Sequence, residues 1–135
     1  MAQLFAHVVD ASVLRPIIGM DDPFHYRNKV VSPYAPGRKL QDAGGAKGGK
    51  RGQKPRHEIL CGMYAAGSHR IVPTDGCLIE NEEAKRIIRA VRGLMPRFGI
   101  EPYREDTGTG FMRHAVVRVG HTSGEILVTL VTNGR

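Results

Sequence analysis

The chain has 135 residues, a net charge of +7 and 41% hydrophobic residues. This size and composition are typical of a single folded domain, predicted here over residues 1–135, and they exclude wholesale disorder. No segment approaches the roughly 20 consecutive apolar residues of a membrane span. The N-terminus also lacks the basic start and long apolar stretch of a signal peptide, so we expect a cytoplasmic protein without a membrane partner.

The positive charge is concentrated in one glycine- and lysine-rich segment, residues 37–56. Between Arg38 and His57 there are seven lysines and arginines and one acid, Asp42, so this region carries six of the seven net charges. Such a composition buries almost nothing and predicts a flexible insert. Its cations, of which Lys47, Lys50 and Arg51 are candidates, suit an RNA phosphate backbone.

The sequence from Phe24 to Tyr34 predicts a first strand, which the residues APG at 35–37 end. Its alternation places Tyr26 and Tyr34 on the core face, and Arg27 and Lys29 on the other face.

A second long strand is predicted from Glu58 to Val72, in which Gly62 and other small residues indicate a bulge or a close backbone approach. Apolar residues then recur every three or four positions from Ile79 to Phe98, which predicts an amphipathic helix with Asn81 as its N-cap. Its outer face is predicted to carry Lys85, Arg86, Arg89 and Arg92, and these cations are most simply interpreted as solvated.

Two strand-like segments, 111–119 and 125–133, follow with a glycine-bounded turn between them. The order β-β-α-β-β predicts an α+β domain. We expect an antiparallel sheet of about four strands with one long amphipathic helix packed on one face.

The motifs of common enzyme sites are absent from the sequence. The six histidines form neither HExxH nor a zinc pattern, and there is no GxSxG and no GxGxxG after a strand. Taken alone, the chain is predicted to have no catalytic residue and no cofactor site.

The polar strand residues are candidates for contacting RNA. Arg27 and Lys29 share a face, whereas Arg113 and His114 should lie on opposite faces, with Arg118 on the side of His114. Arginine suits phosphate oxygens, and a ring such as that of Tyr26 can stack on an unpaired base. The alternative is that the tyrosines are core residues and the cations are solvated, which composition alone favours.

Several strings together resemble a known family. They are PFHYRNKVVSPY, GMYAAGSHRIVPTDGC, GFMRHAVVRVG and GEILVTLVTN, in this order between about Met20 and Asn133. They resemble the central portion of the TrmA/RumA-type RNA (uracil-5-)-methyltransferases. The resemblance implies a parent enzyme that methylates C5 of a uridine with S-adenosylmethionine. Its catalytic half would lie C-terminal to this segment, and its nucleophilic cysteine and basic glutamate have no counterpart here.

The resemblance also bears on the two cysteines. Many members hold a 4Fe–4S cluster through four cysteines, and Cys77 matches the fourth of these ligands. The other three have no counterpart in the sequence, and Cys61 matches no ligand.

We therefore expect the RNA-contacting central portion of a methyltransferase that acts on 23S rRNA, with rRNA and a methyltransferase domain in cis as its partners. Two alternatives remain open. In the first the chain would be a stand-alone small basic RNA-binding protein, and in the second a protein-docking module, which would show an apolar exposed sheet face.

Overall fold

The computed structural model describes residues 7, 8, 10–40 and 57–134. Across these ranges the chain forms five strands, one α-helix and two short 3-10 helices at Ala11–Val13 and Met95–Phe98. The regular elements are β1 (Lys29–Lys39), β2 (His57–Tyr64), β3 (Ile71–Pro73), α1 (Glu82–Leu94), β4 (Met112–Val119) and β5 (Ile126–Thr132).

The strands form one antiparallel sheet in the order β3-β2-β1-β4-β5. The two halves of the long central strand β1 pair with different neighbours, β2 and β4. Its C-terminal half places Tyr34 opposite Cys61 in β2, and its N-terminal half places Val30 opposite Val117 in β4. The predicted α+β class with an antiparallel sheet and a single helix is confirmed.

The fifth strand arises because the segment Glu58–Val72 is a hairpin and not one strand. A turn separates β2 from β3, in which the amide of Ala65 donates to the carbonyl of Arg70 at 2.9 Å. Gly67 adopts a φ of 65°, which is readily available only to glycine. The close approach predicted at Gly62 is confirmed, because a Cβ there would lie 2.1 Å from the carbonyl oxygen of Val72 in β3.

The first strand is displaced from its predicted bounds. Residues 24–28 precede β1 and run alongside the segment that leads into the helix. The amide of His25 donates to the carbonyl of Leu78 and the amide of Arg27 to that of Ile79, both at 2.8 Å. At its other end β1 continues through Pro36 to Lys39, where a register shift accommodates the turn residues.

The helix α1 covers one face of the sheet. Its N-cap is Asn81, as predicted, with Oδ1 accepting from the amides of Glu83 at 3.0 Å and Ala84 at 3.3 Å. The core beneath it contains Val30, Tyr34, Cys61, Ala84, Ile88, Met95, Met112, Ala115 and Val117.

The two tyrosines assigned to the core behave differently. Tyr34 is buried, and its hydroxyl donates to the carbonyl of Ile88 at 3.0 Å. Tyr26 is 53% exposed, because it lies before β1 and is not governed by the alternation of that strand. The assignment of Tyr26 to the core was therefore wrong.

None of the helices in the part of the chain described is long and apolar enough to cross a membrane.

Candidate nucleic-acid interface

The face of the sheet turned away from α1 carries a pair of cations. Val30, Ser32 and Tyr34 are buried on the helix side, so Lys29 and Val31 lie on the other side, which we call the open face. Lys29 pairs directly with Arg118 of β4. Both side chains are exposed, and neither forms an ion pair with a described residue.

This pairing is electrostatically unfavourable for the folded chain. Like charges that lie directly opposite each other on neighbouring strands repel and destabilise the sheet. An anion that binds to both would remove the penalty. The Lys29–Arg118 pair is therefore better suited to holding a phosphate than to stabilising the fold.

A second group of side chains meets where β2 ends. The ring of Tyr64 lies edge-on to His69, with 5.4 Å between ring centroids, and edge-on to His114 at 6.2 Å. Its hydroxyl donates to Oε1 of Glu105 at 3.5 Å. We refer to six residues of this region as the aromatic cluster: Tyr64, His69, Tyr103, Glu105, Arg113 and His114.

Arg113 ties the cluster to the loop before β4. Its Nη2 donates to Oε1 and Oε2 of Glu105 at 3.1 and 3.4 Å, and its guanidinium carbon lies 4.5 Å from the centroid of the Tyr103 ring. Its Nε is buried and has no hydrogen-bond partner within the described ranges. Such an unpaired donor in a buried position is costly and rare in folded proteins.

A bulge explains why Arg113 and His114 both reach this cluster. The register between β4 and β5 shifts between Met112 and His114, so strict alternation does not hold at Arg113. The expectation that the two residues serve opposite faces was wrong, because Arg113 approaches Tyr64 through Glu105 while His114 contacts it directly.

The environment sets the charges of the cluster. Burial, together with the charge of Arg113, lowers the pKa of His114 below its usual value. Burial, together with the carboxylate of Glu105, raises the pKa of the Tyr64 hydroxyl. His114 is consequently a neutral ring at neutral pH, beside a guanidinium that is already paired with a carboxylate.

The other predicted RNA-contacting residues lie apart from this surface or outside the described ranges. Tyr26 is exposed and Arg27 half-buried, in the segment before β1. Lys47, Lys50 and Arg51 lie outside the described residues. The structure thus brings together Lys29 with Arg118, and Arg113 with His114.

The helix offers fewer free cations than its sequence suggests. Arg86 pairs with Glu83 at 2.6 Å, and Arg89 and Arg92 pair with Asp75 at 2.9 and 3.7 Å. Lys85, counted with the outer face, is in fact buried. Its Nζ donates to the carbonyl of Cys77 at 3.0 Å and contacts Oε1 of Glu82 at 2.6 Å.

Cys77 therefore has a structural contact through its backbone. Cys61 lies in β2 beneath the helix, where burial raises the pKa of its thiol. Within the described ranges no three His, Cys, Asp or Glu side chains are grouped so as to hold a metal ion. An iron–sulfur cluster does not fit the donor set of this chain.

The edge strand β5 exposes a further, apolar surface. Ile126, Val128 and Leu130 are each at least 40% exposed on the helix side, beyond the reach of α1, and Leu127 is exposed on the open face. The strand ILVTLVT has no charge and no proline, although natural edge strands usually carry such features to prevent further pairing.

Relatives of the chain were found among bacterial proteins, while no family model matches it. It is 37% identical over 126 residues to an uncharacterized RNA methyltransferase of Halalkalibacterium halodurans, covering 93% of this chain and 24% of that protein. A protein of the same description from Oceanobacillus iheyensis is 37% identical over 128 residues, with 94% and 24% covered. The chain thus spans about a quarter of the length of these relatives.

A solved structure shares the fold. It is the crystal structure of the Pyrococcus abyssi tRNA (uracil-54, C5)-methyltransferase in complex with S-adenosyl-L-homocysteine. The match has a TM-score of 0.54 and 19% identity, and it covers 83% of this chain and 22% of that chain.

Fold and relatives together define an RNA methyltransferase-related domain. The resemblance predicted from the sequence strings is confirmed: over 93% of its length the chain is similar to a protein described as an RNA methyltransferase, and its fold matches part of a tRNA (uracil-54, C5)-methyltransferase.

Sequence reasoning missed four members of the aromatic cluster: Tyr64, His69, Tyr103 and Glu105. A signal for two of them was present, because Tyr64 and His69 both occur in the string GMYAAGSHRIVPTDGC. That string and GFMRHAVVRVG, which contains Arg113 and His114, converge in space at this cluster. Residues from two of the four strings that carry the family resemblance thus meet at one surface site.

Proposed function

We propose that this domain holds single-stranded RNA on the open face and the aromatic cluster, as part of a longer S-adenosylmethionine-dependent RNA (uracil-5-)-methyltransferase that acts on 23S rRNA. The proposal is supported by relatives described as RNA methyltransferases. The observation that carries it is the exposed like-charge pair Lys29–Arg118, in which Arg118 lies on β4 together with His114, whose ring contacts Tyr64.

Each part of the surface has a distinct role in this proposal. Lys29 and Arg118 bind phosphate oxygens, and exposed His69 supplies a ring on which a base stacks. The strand β1 places Lys29 four residues from Pro33, the partner of His114. At a rise of about 3.3 Å per residue, the phosphate contacts and the rings are separated by about 13 Å along the strand.

The chemistry of methyl transfer belongs to residues outside this chain. S-adenosylmethionine would supply the methyl group in the longer protein. Such an enzyme has to take its target base out of the surrounding RNA structure, and RNA-holding surfaces beyond the active site support that step. Tyr64, His114 and the Lys29–Arg118 pair would hold the flanking strand.

A binding titration tests this role. Labelled single-stranded RNA is titrated with the chain at low salt, and fluorescence anisotropy is recorded for the wild type and for His69→Ala. Loss of one stacking ring costs about 1–3 kcal/mol, so affinity should fall about tenfold. His121→Ala removes an exposed histidine in the turn between β4 and β5 and is the matched control. No RNA binding by the wild type, or equal losses in both variants, would contradict the proposal.

A specific observation favours a second role, docking on another domain. We propose that the apolar side chains of β5 pack against the methyltransferase domain of the longer protein in cis. An uncharged edge strand with exposed Ile126, Val128 and Leu130 is suited to being covered by protein. About three-quarters of each relative lies outside the part that matches this chain, which is compatible with a further domain that covers β5.

Hydrogen exchange distinguishes docking from a free edge. The amides of β5 that do not pair with β4 should exchange quickly in this chain and slowly in the protein made from the complete reading frame. The amides of β3, at the opposite edge, provide the internal comparison. Equally fast exchange of β5 in both proteins would rule out docking, and a stop codon directly after position 135 would favour the stand-alone alternative.

A further inference from the structure

A small cavity opens beside the aromatic cluster. Its volume is about 170 Å³, and two residues of β1 and six others line it. The six are Tyr64, His69, Tyr103, Arg104, Glu105 and Asp106. Rings form one part of the wall, consecutive residues of the loop before β4 form another, and Ala35 and Pro36 of β1 complete it.

The charges of this cavity disfavour a phosphate as its occupant, because its two acids, Glu105 and Asp106, outnumber its one arginine, Arg104. Glu105 and Asp106 both line the same small space, and two carboxylates repel an anion. They accept hydrogen bonds and donate none when ionised. The occupant should therefore carry no negative charge, be flat enough to contact the rings, and present hydrogen-bond donors.

The donors of the protein point to the same conclusion. The nearby guanidinium of Arg113 is already paired with Glu105, and Tyr64 also donates to this carboxylate at 3.5 Å. Two donors thus fix the orientation of Glu105. The loop carboxylate of Asp106 is exposed, and nothing among the described residues ties it down.

We propose that this cavity holds one unpaired nucleobase that carries an exocyclic amino group, in the RNA strand next to the target uridine. The proposal rests on the RNA-binding function argued above. Adenine, cytosine and guanine present amino groups to the carboxylates, whereas uracil presents two carbonyl oxygens and a single ring N–H. Tyr64 and His69 contact the ring of the base, and Arg104 on the same wall is placed to hold a neighbouring phosphate.

This assignment gives the cavity a task different from recognising the methylated base. The site reads the context of the substrate, because it disfavours uracil itself. Recognition of a base next to the target would help the enzyme to select one uridine among many in a single-stranded region.

The test uses eight-nucleotide RNAs. One consists only of uridines, and three others carry a single adenosine, cytidine or guanosine at the fourth position. Wild-type chain should bind the best of the three about tenfold more tightly than all-uridine RNA. The double variant Glu105→Gln/Asp106→Asn should lose this preference, because each amide also presents a donor to the base.

Two further variants keep the result interpretable. Asp106→Asn alone leaves the Glu105–Arg113 pair intact and should still reduce the preference at least twofold. Glu83→Gln removes a carboxylate from α1 and should leave the preference unchanged. Thermal unfolding monitored by circular dichroism is used to check that each variant is folded.

The outcomes separate the two proposals. If the chain binds all four RNAs equally, the cavity inference is overturned while RNA binding stands. If the chain binds none of them, the proposed function fails as well. Binding of an arginine-containing peptide in this cavity, in place of any RNA, would also overturn the inference, since a guanidinium satisfies the same carboxylates.

Discussion

Removing the Lys29–Arg118 pair should weaken RNA binding and stabilise the fold at once. In the double variant Lys29→Gln/Arg118→Gln both cations become neutral while the strands keep side chains of similar length. The two residues are direct cross-strand neighbours on the open face, and both are exposed. The proposed function assigns each of them one phosphate contact.

The size of the effect on binding follows from counterion release. For single-stranded nucleic acid, each phosphate contact contributes a slope of about −0.7 to the dependence of log affinity on log salt concentration. Loss of two contacts should make the slope shallower by about 1.4. Between 50 and 200 mM salt the wild type would then lose about sevenfold more affinity than the variant.

The effect on stability has the opposite sign. Relief of repulsion between directly opposed like charges should raise the free energy of unfolding by about 0.2–1 kcal/mol. Anisotropy titrations at several salt concentrations measure the slope, and urea unfolding measures the stability. Arg86→Gln/Arg97→Gln removes the same charge from α1 and the following 3-10 helix, and it should leave the slope unchanged. An unchanged slope in the open-face variant, or equal changes in both variants, would refute the reasoning.

Three other predictions concern the fold and its pH dependence. Tyr34→Phe removes the buried hydrogen bond to the carbonyl of Ile88 and should cost about 0.5–1.5 kcal/mol in urea unfolding. Gly62→Ala should cost about 1–3 kcal/mol, because its Cβ would overlap the backbone of β3, whereas Gly93→Ala meets no neighbour and should stabilise α1 by about 0.5–1 kcal/mol; similar melting temperatures for the two variants would disprove this. His114 has a lowered pKa in the folded chain, so the unfolded chain binds its proton more readily and stability should fall as the pH drops below about 6.5. Urea unfolding at pH 7 and pH 5 should show a smaller difference for His114→Gln than for the wild type.

The sequence predicted the elements whose signals are local. Helix periodicity and the N-cap at Asn81 led directly to α1, and the glycine-bounded turn led to the β4–β5 hairpin. The close approach at Gly62 was also recognisable, because a glycine within a strand pattern usually marks a bulge or a backbone that passes nearby.

The errors arose where tertiary pairing overrides alternation. Tyr26 lies in an extended segment, but that segment pairs with the residues just before α1 and is not a strand of the sheet. The side chain of Tyr26 is therefore exposed. Alternation failed at Arg113 because a bulge inserts one residue into β4.

The aromatic cluster was not predictable from periodicity at all. Tyr64 is brought to Glu105 and His114 by the pairing of strands that lie far apart in sequence, and no local pattern encodes that meeting. Only the family strings pointed to its members, and they did so without geometry.

Photocrosslinking tests the central proposal, RNA held on the open face, most directly. A single-stranded RNA that carries 4-thiouridine is bound to the chain at low salt and irradiated, and the modified peptides are identified by mass spectrometry. Crosslinks should map to β1, β4 and the segment around Tyr64 and His69. Crosslinks confined to the outer face of α1, where Arg86, Arg89 and Arg92 are paired with carboxylates, would contradict it.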